Sequence, residues 1–262
     1  MKHIFFDTHC HLDFLEDPEY EITSATRNGV RYFLLPSVGR KNFQQVKSLA
    51  HKFQGIFYCL GIHPCHINDS DESDLIKLKQ CVIASFNDPK FVGIGEIGLD
   101  FFISEFNKEK MLWFFIEQLK IASSFNLPVV LHVRRSHDLT LKYLRKYKIS
   151  NGIAHAFNGS DIQTKNFLRL GLLLGFGGSL TFERAKRIRK IALEIPDSAY
   201  VFETDSPDMS PSWISQEKKN SPAQIPRIVS SFASIRNNSI SHVSQHAMKN
   251  ICRVFPKLAF IN

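Results

Sequence analysis

Short apolar runs alternate with longer amphipathic stretches from one end of this chain to the other. The runs lie at residues 4–7, 32–36, 56–61, 91–95, 128–132, 152–155, 172–175 and 200–204. Each is short, β-branched or aromatic, and bounded by turn formers, the pattern of a strand buried on both faces. The stretches between them repeat apolar residues at helical spacing. The clearest spans 108–124, where Leu112, Phe115, Ile116, Leu119 and Ala122 share a stripe and Asn107 is a candidate N-cap. Further helices are expected at 41–52, 72–86, 138–146, 162–170 and 182–193. After a loop rich in Pro, Ser and Trp, two more are expected at 222–235 and 241–254. Ser221-Pro222 has the form of an N-cap followed by a first-turn proline.

Buried strands separated by helices run parallel, because parallel neighbours need crossover connections. Eight such units in 262 residues match a closed (β/α)8 TIM barrel in a single domain, 1–262. A doubly wound open sheet is the alternative, and the count of eight decides for the barrel. With 44% hydrophobic and 22% charged residues the chain can bury such a core, and composition excludes disorder, collagen and coiled coil. No apolar run approaches the roughly 20 residues of a membrane span, so no membrane partner is expected. The N-terminus meets a charge at Asp7, too soon for a secretory segment. The five cysteines (Cys10, Cys59, Cys65, Cys81 and Cys252) form no CxxC pair. That argues against a disulfide framework or a cysteine-built zinc site and points to a reducing cytoplasm. A net charge of +8 makes a polyanionic partner plausible.

The chemistry gathers where the strands end. His9-Cys10-His11 ends the first run. Residues two apart on a strand share a side, so both imidazoles can meet one cation while Cys10 points away. Glu96 ends the fourth run, His132 the fifth and His155 the sixth, and Asp205 follows the eighth. In a barrel these ends converge on one face, where active sites lie. So many convergent buried polar groups need a cation or partners. Four histidines and two carboxylates exceed a single tetrahedral set. They suit two cations bridged by one carboxylate, and Glu96, midway around the ring, is the expected bridge. Two cations about 4 Å apart can hold a hydroxide between them and stabilise attacking and leaving oxygens together. Asp205 would bind one cation and orient or deprotonate the attacking water, which makes Asp205 and Glu96 the expected catalytic carboxylates.

The segments that carry these residues are Asp7-Thr8-His9-Cys10-His11-Leu12-Asp13, Gly61-Ile62-His63-Pro64, Gly93-Ile94-Gly95-Glu96-Ile97-Gly98-Leu99-Asp100, Leu131-His132-Val133-Arg134, His155-Ala156-Phe157-Asn158-Gly159 and Glu203-Thr204-Asp205-Ser206-Pro207. In this order, across nearly the whole chain, they resemble the TatD family of metal-dependent deoxyribonucleases within the wider amidohydrolase superfamily. Arg134-Arg135-Ser136-His137-Asp138 and Ser206-Pro207-Asp208-Met209 further resemble its YjjV-like branch. The resemblance implies a TIM barrel, magnesium, manganese or zinc at the site, and hydrolysis of phosphodiesters, often in single-stranded DNA from an end. It implies metal ligation by His9, His11, Glu96, His132, His155 and Asp205. Many amidohydrolases place a carbamylated lysine at the end of strand four; Glu96 stands there instead, so no carbamate is needed. Two positions depart from the family. Its Arg-Asn-x-Pro is Lys219-Asn220-Ser221-Pro222 here, and lysine lacks the bidentate fork. The histidine that often follows His63-Pro64 is Cys65, with His66 displaced by one, so His66 and Cys65 stay outside the expected site.

Beyond the ligands, His63 and Arg134 are the expected substrate-binding residues, each placed to hold a phosphate. Their plain alternatives are a turn histidine before proline and a surface ion pair. Asp100 either orients a ligand histidine or forms a turn. Glu203 is a supporting or barrel-interior group, not a catalytic one. Phe157, Trp213, Phe101 and Phe102 are candidates to stack bases, against packing as the default for 23 phenylalanines. Arg135 and His137 are expected to face solvent. The basic runs Arg184, Lys186, Arg187, Arg189 and Lys190, and Lys142, Arg145, Lys146 and Lys148, read as solvated helix faces that would neutralise phosphates if they lined the mouth. Cys10 has no base fixed beside it and is a poor nucleophile. The activity expected is metal-dependent phosphodiester hydrolysis of DNA, single-stranded and exonuclease-like, with DNA as the partner. Two other readings stay open. One is an amide or ester hydrolase of the same superfamily, acting on a small molecule or an aminoacyl-tRNA. The other is a nucleic-acid-binding protein without turnover.

Overall fold

The computed structural model describes residues 3–215 and 217–261. Eight strands form one sheet in sequence order: β1 (Phe5–Asp7), β2 (Val30–Pro36), β3 (Ile56–Leu60), β4 (Phe91–Asp100), β5 (Val129–Arg134), β6 (Gly152–Ala154), β7 (Leu173–Phe176) and β8 (Tyr200–Phe202). Every ladder from β1·β2 to β7·β8 is parallel. Seven helices fill the crossovers: α1 (Pro18–Arg27), α2 (Phe43–Lys52), α3 (Glu72–Ser85), α4 (Lys108–Ser124), α5 (His137–Lys146), α6 (Asp161–Arg169) and α7 (Lys186–Glu194). Helices α8 (Ile225–Arg236) and α9 (Ile240–Val254) follow β8. The TIM barrel read from the alternation is the fold observed.

The barrel closes beyond the ends of its first and last strands. Thr8 N–H donates to Phe202 O (2.9 Å), Asp205 N–H to His9 O (2.8 Å) and His11 N–H to Ser206 O (2.8 Å). Donors alternate between the two segments, as in a parallel ladder. The fully buried Asp7 carboxylate reinforces this seam by accepting from the Thr204 N–H (3.0 Å), the Thr204 hydroxyl (2.5 Å) and the His9 N–H (3.3 Å). Burial pushes its pKa up to about 8 against the pull of those donors.

Every strand sends a side chain into a common inner cluster, and β3 sends two: Phe6, Leu34, Phe57, Cys59, Val92, Val130, Ile153, Leu173 and Val201. Ile251, Cys252, Val254, Phe255 and Leu258 complete it, so the end of α9 and the turn after it cap the N-terminal end of the barrel. Neighbouring strand residues such as Phe33, Leu35, Tyr58, Leu60, Val129 and Leu131 point the other way, into the layer shared with the helices. On β5 and β6 the inward parity of Val130 and Ile153 is also that of His132 and His155, two residues nearer the C-terminal mouth.

Helix α4 forms over the expected span with the expected cap, but its buried face is turned from the expected stripe, leaving Leu112 and Ile116 half-buried. Met111, Phe114, Phe115, Leu119 and Ala122 are buried, and the Asn107 side chain accepts from Lys110 N–H at 2.9 Å. Two helical expectations need correction. Helix α1 was not among the stretches read from the sequence, because PEYEITSATR buries only Ile22 and Ala25. Its Asp17 N-cap and first-turn Pro18 are what start it. Helix α7 begins at Lys186, not at 182. Residues 178–181 form a 3-10 turn, and the loop after β8 pins its last residue: Ser212 N–H donates to Thr181 Oγ1 at 2.7 Å.

Phe255 is fully buried in the inner cluster. Phe255→Ala should lower unfolding free energy by about 3–5 kcal/mol, the usual loss for a buried aromatic. Urea unfolding followed by circular dichroism measures this.

Candidate metal centre

Two groups of side chains meet at the C-terminal mouth, with Glu96 between them. Its Oε2 lies 3.1 Å from His9 Nε2 and 3.6 Å from His11 Nε2. Asp205 Oδ1 completes this group at 3.4 Å from His9 Nε2 and 3.6 Å from His11 Nε2. The other oxygen, Oε1, lies 2.9 Å from His155 Nε2, 3.1 Å from His132 Nδ1 and 3.2 Å from His63 Nε2. The six ligands expected from the sequence are therefore together. His63, expected as a phosphate contact, joins them with its ring facing Glu96.

The donor set fits divalent cations. His9 Nε2 and His11 Nε2 stand 3.3 Å apart, and His132 Nδ1 and His155 Nε2 stand 3.2 Å apart. Nitrogen pairs this close, beside carboxylate oxygens, are mutually satisfied by a shared cation. The groups His9–His11–Glu96 and His63–Glu96–His132 each bring their donor atoms within 4.8 Å of one another. Electrostatics point the same way. Burial alone would raise the Glu96 pKa, but His63, His155 and His9 outweigh it and hold the carboxyl well below its usual value. Burial likewise opposes charge on His155, yet Glu96 raises that imidazole to about 10. Burial dominates at His9, which is lowered well below its usual value, and at His63, lowered to about 4.

The mouth is built by groups far apart in sequence. Asp205 sits in the left-handed region (φ +53°), held by the bond from its N–H to His9 O. Glu96 N–H donates to Ser37 O at 2.8 Å, while the Ser37 hydroxyl bonds both Gly61 O (3.0 Å) and Gly61 N–H (2.8 Å). Gln118, buried on α4, grips the backbone before His63: its Oε1 accepts from Ile62 N–H (2.7 Å) and its Nε2 donates to Ile62 O (3.1 Å). Asn220 Nδ2 ties the last loop to Thr204 O and Asp208 O. Sequence reading missed Ser37 and Gln118; the latter lies beside the expected stripe of α4, and only the structure shows it buried.

Asp100 does both things expected of it. Its Oδ2 meets His132 Nε2 at 2.9 Å and its Oδ1 accepts from Phe102 N–H at 2.8 Å. Glu203 is an interior group: its Oε1 accepts from Ala156 N–H and lies 3.9 Å from His155 Nδ1. Burial raises its pKa to about 7. A Cβ at Gly175 would stand 2.1 Å from Glu203 Oε2, so glycine is what lets this carboxylate lie under the site. Cys10 is buried with its Sγ toward Leu34 O.

The peripheral candidates divide between those at the surface and those turned inward. Arg134 is half-exposed, 3.9 Å from Asp100 Oδ2, with its guanidinium 3.8 Å from the Phe102 ring centroid. Phe157 is 1% exposed and packs edge-on against His137 and Phe167, so it offers no face to a base, and His137 is turned inward instead of facing solvent. Trp213 is partly buried and donates to Gln224 Oε1, and Phe101 stacks on Phe106. Phe102 and Phe14 are exposed; Phe14 stacks on His11 with ring centroids 5.4 Å apart. Lys219 pairs with Glu16 at 3.1 Å, and Lys190 of the basic run on α7 pairs with Asp161. Cys65 and His66 are exposed. Among the described residues no helix is long and apolar enough to cross a membrane.

Fold and mouth together define a metal-dependent hydrolase. A family model described as TatD related DNase matches residues 6–256, and the chain belongs to that family. The uncharacterized metal-dependent hydrolase YjjV of Escherichia coli (strain K12) is 33% identical over 255 residues, covering 96% of this chain and 97% of its own. The crystal structure of Escherichia coli YjjV matches with a TM-score of 0.93, at 33% identity, over 98% of this chain and 99% of that one. The 3'-5' ssDNA/RNA exonuclease TatD of Klebsiella pneumoniae (strain 342) is 29% identical over 248 residues, covering 92% of this chain and 93% of its own.

Asp100→Asn should weaken metal binding about 10- to 100-fold, as loss of a carboxylate behind a ligating imidazole does. Titration of the metal-free protein with Mn2+ measures it, with unchanged circular dichroism showing an intact fold.

Proposed function

We propose that this protein hydrolyses phosphodiester bonds in DNA, single-stranded and from an end, at a site that holds two divalent cations (Mg, Mn or Zn). The observation that carries this reading is the division of Glu96: one oxygen faces His9 and His11, the other His132, His155 and His63. A bridging carboxylate with imidazoles on each side fits a paired site better than a single tetrahedral one. His9, His11, Glu96 and Asp205 would hold one cation, and Glu96, His132 and His155 the other. When bound, the cations would supply Lewis-acid activation of water and neutralise charge building on the phosphate.

The chain's own groups complete the chemistry. Asp205 is more open to solvent than Glu96, with a side chain 16% against 3% exposed, so it is the carboxylate placed to orient a water and take its proton. His63 faces the same opening from the end of β3 and would steer a non-bridging phosphate oxygen. Arg134, held by stacking on Phe102, stands at the rim where its fork would meet the next phosphate. Phe14 and Phe102 expose rings on two sides of the cluster, suited to bases of an unpaired strand. The net charge of +8 favours a polyanion, and the exonuclease named among the relatives supports an unpaired nucleic acid.

Asp205→Asn should lower hydrolysis of end-labelled single-stranded DNA by about 10²–10⁴-fold with the fold intact; near-normal turnover would remove Asp205 from the chemistry. Chelation should abolish activity, and Mg2+ or Mn2+ should restore it. Full activity in metal-free protein would overturn the reading.

A further inference from the structure

A second group of metal-type donors lies far from the mouth, at the N-terminal end of the barrel. Asp197 stands in the turn before β8, and His242 and His246 stand one turn apart on α9. One donor atom from each lies within 4.8 Å of the others. His242 Nε2 is 2.9 Å from Asp197 Oδ2, and the two imidazole centroids are 4.5 Å apart. Spacing of i, i+4 puts both rings on one helix face. All three side chains are partly exposed, which leaves a path for an ion and room for water to complete its shell.

The carboxylate is fixed from behind. Arg236 Nη2 holds Asp197 Oδ1 at 2.8 Å, while Arg236 Nη1 donates to the carbonyls of Ala192 (2.9 Å) and Ile195 (2.6 Å). Asn250 Nδ2 donates to the Asp197 carbonyl at 2.8 Å. Asp197 therefore presents Oδ2 to the histidines while its other oxygen is engaged, the support that orients ligating carboxylates.

We propose that Asp197, His242 and His246 bind one transition-metal dication, of the class of Zn2+, Ni2+ or Cu2+, at a site separate from the hydrolytic centre. Two imidazoles and one carboxylate select these ions over Mg2+, which prefers oxygen and keeps its waters. The ion takes the place of the proton shared by His242 Nε2 and Asp197 Oδ2, and that proton leaves to solvent. Bound there, it clips α9 to the turn that starts β8. It stabilises the barrel by mass action without touching the reacting groups.

The test is Ni2+ binding by equilibrium dialysis on the full chain. Wild type should bind one equivalent more than His246→Gln or His242→Gln, while both variants keep wild-type hydrolysis in saturating Mg2+. Equal stoichiometry in all three overturns the proposal. A readout on wild type needs no variant: substoichiometric Cu2+ should broaden the His242 and His246 imidazole resonances along with those of the mouth. Sharp resonances for both histidines after the mouth signals have vanished overturn it as well. Failure here leaves chelator-sensitive hydrolysis untouched, and failure of that hydrolysis leaves this site untouched.

Discussion

A carboxylate sealed in the barrel mouth with imidazoles on both of its oxygens governs this structure. Glu96 is 2% exposed. An ion taken that far from water costs several kcal/mol unless positive charge and donors surround it. Burial would neutralise it, yet the neighbouring rings reverse the outcome and keep it ionised. Their own states divide accordingly: His155 is pushed up to about 10 and His63 down to about 4. So dense a ring cluster cannot carry a proton at every position. A bound metal would resolve the conflict, since it replaces mobile protons with fixed charge and lets the imidazoles stay neutral.

The seam between β8 and β1 connects this electrostatic demand to the fold. The bond that sets Asp205 in its left-handed conformation is also one of the three backbone bonds that close the barrel there. Asp7 and Thr204, buried beneath it, bind each other through two hydrogen bonds. The segments that bring His9, His11 and Asp205 to Glu96 therefore also close the barrel. The opposite end has a different character. There the barrel is filled by Phe255 and Leu258, apolar and free of the site's geometry. Stability and chemistry are divided along the barrel axis, as TIM-barrel architecture permits.

Much of this was legible in the residues. Seven of the eight strands fall within two residues of their apolar runs, because parallel strands buried on both faces are nearly continuous in hydrophobicity. The exception is β4, which runs five residues past its expected end to Asp100, so Glu96 lies within the strand and not at its end. The six candidate residues that meet at the mouth were readable because His, Glu and Asp are conspicuous at or just beyond such runs. What escaped detection acts through backbone hydrogen bonds between distant segments. Ser37 and Gln118 are ordinary residues in sequence, and only folding brings them to Gly61 and Ile62. Helix α1 escaped because it buries two residues, too few to make a stripe. Phe157 lies in a motif loop, yet its ring turns into the core, and sequence cannot say which way a loop side chain points.

One imidazole of the cluster presents a different nitrogen to Glu96 from the rest. Asp100 Oδ2 lies 2.9 Å from His132 Nε2 and holds that side of the ring, so Nδ1 is left facing Glu96. Glu203 lies on the Nδ1 side of His155, which leaves Nε2 facing the same oxygen. The two rings thus meet one oxygen through opposite nitrogens, His132 fixed by its hydrogen bond to Asp100 and His155 with its other nitrogen 3.9 Å from Glu203. Gly175 belongs to that arrangement, since a side chain there would displace Glu203. The centre depends on these outer carboxylates and the space they occupy as much as on the residues that ring Glu96.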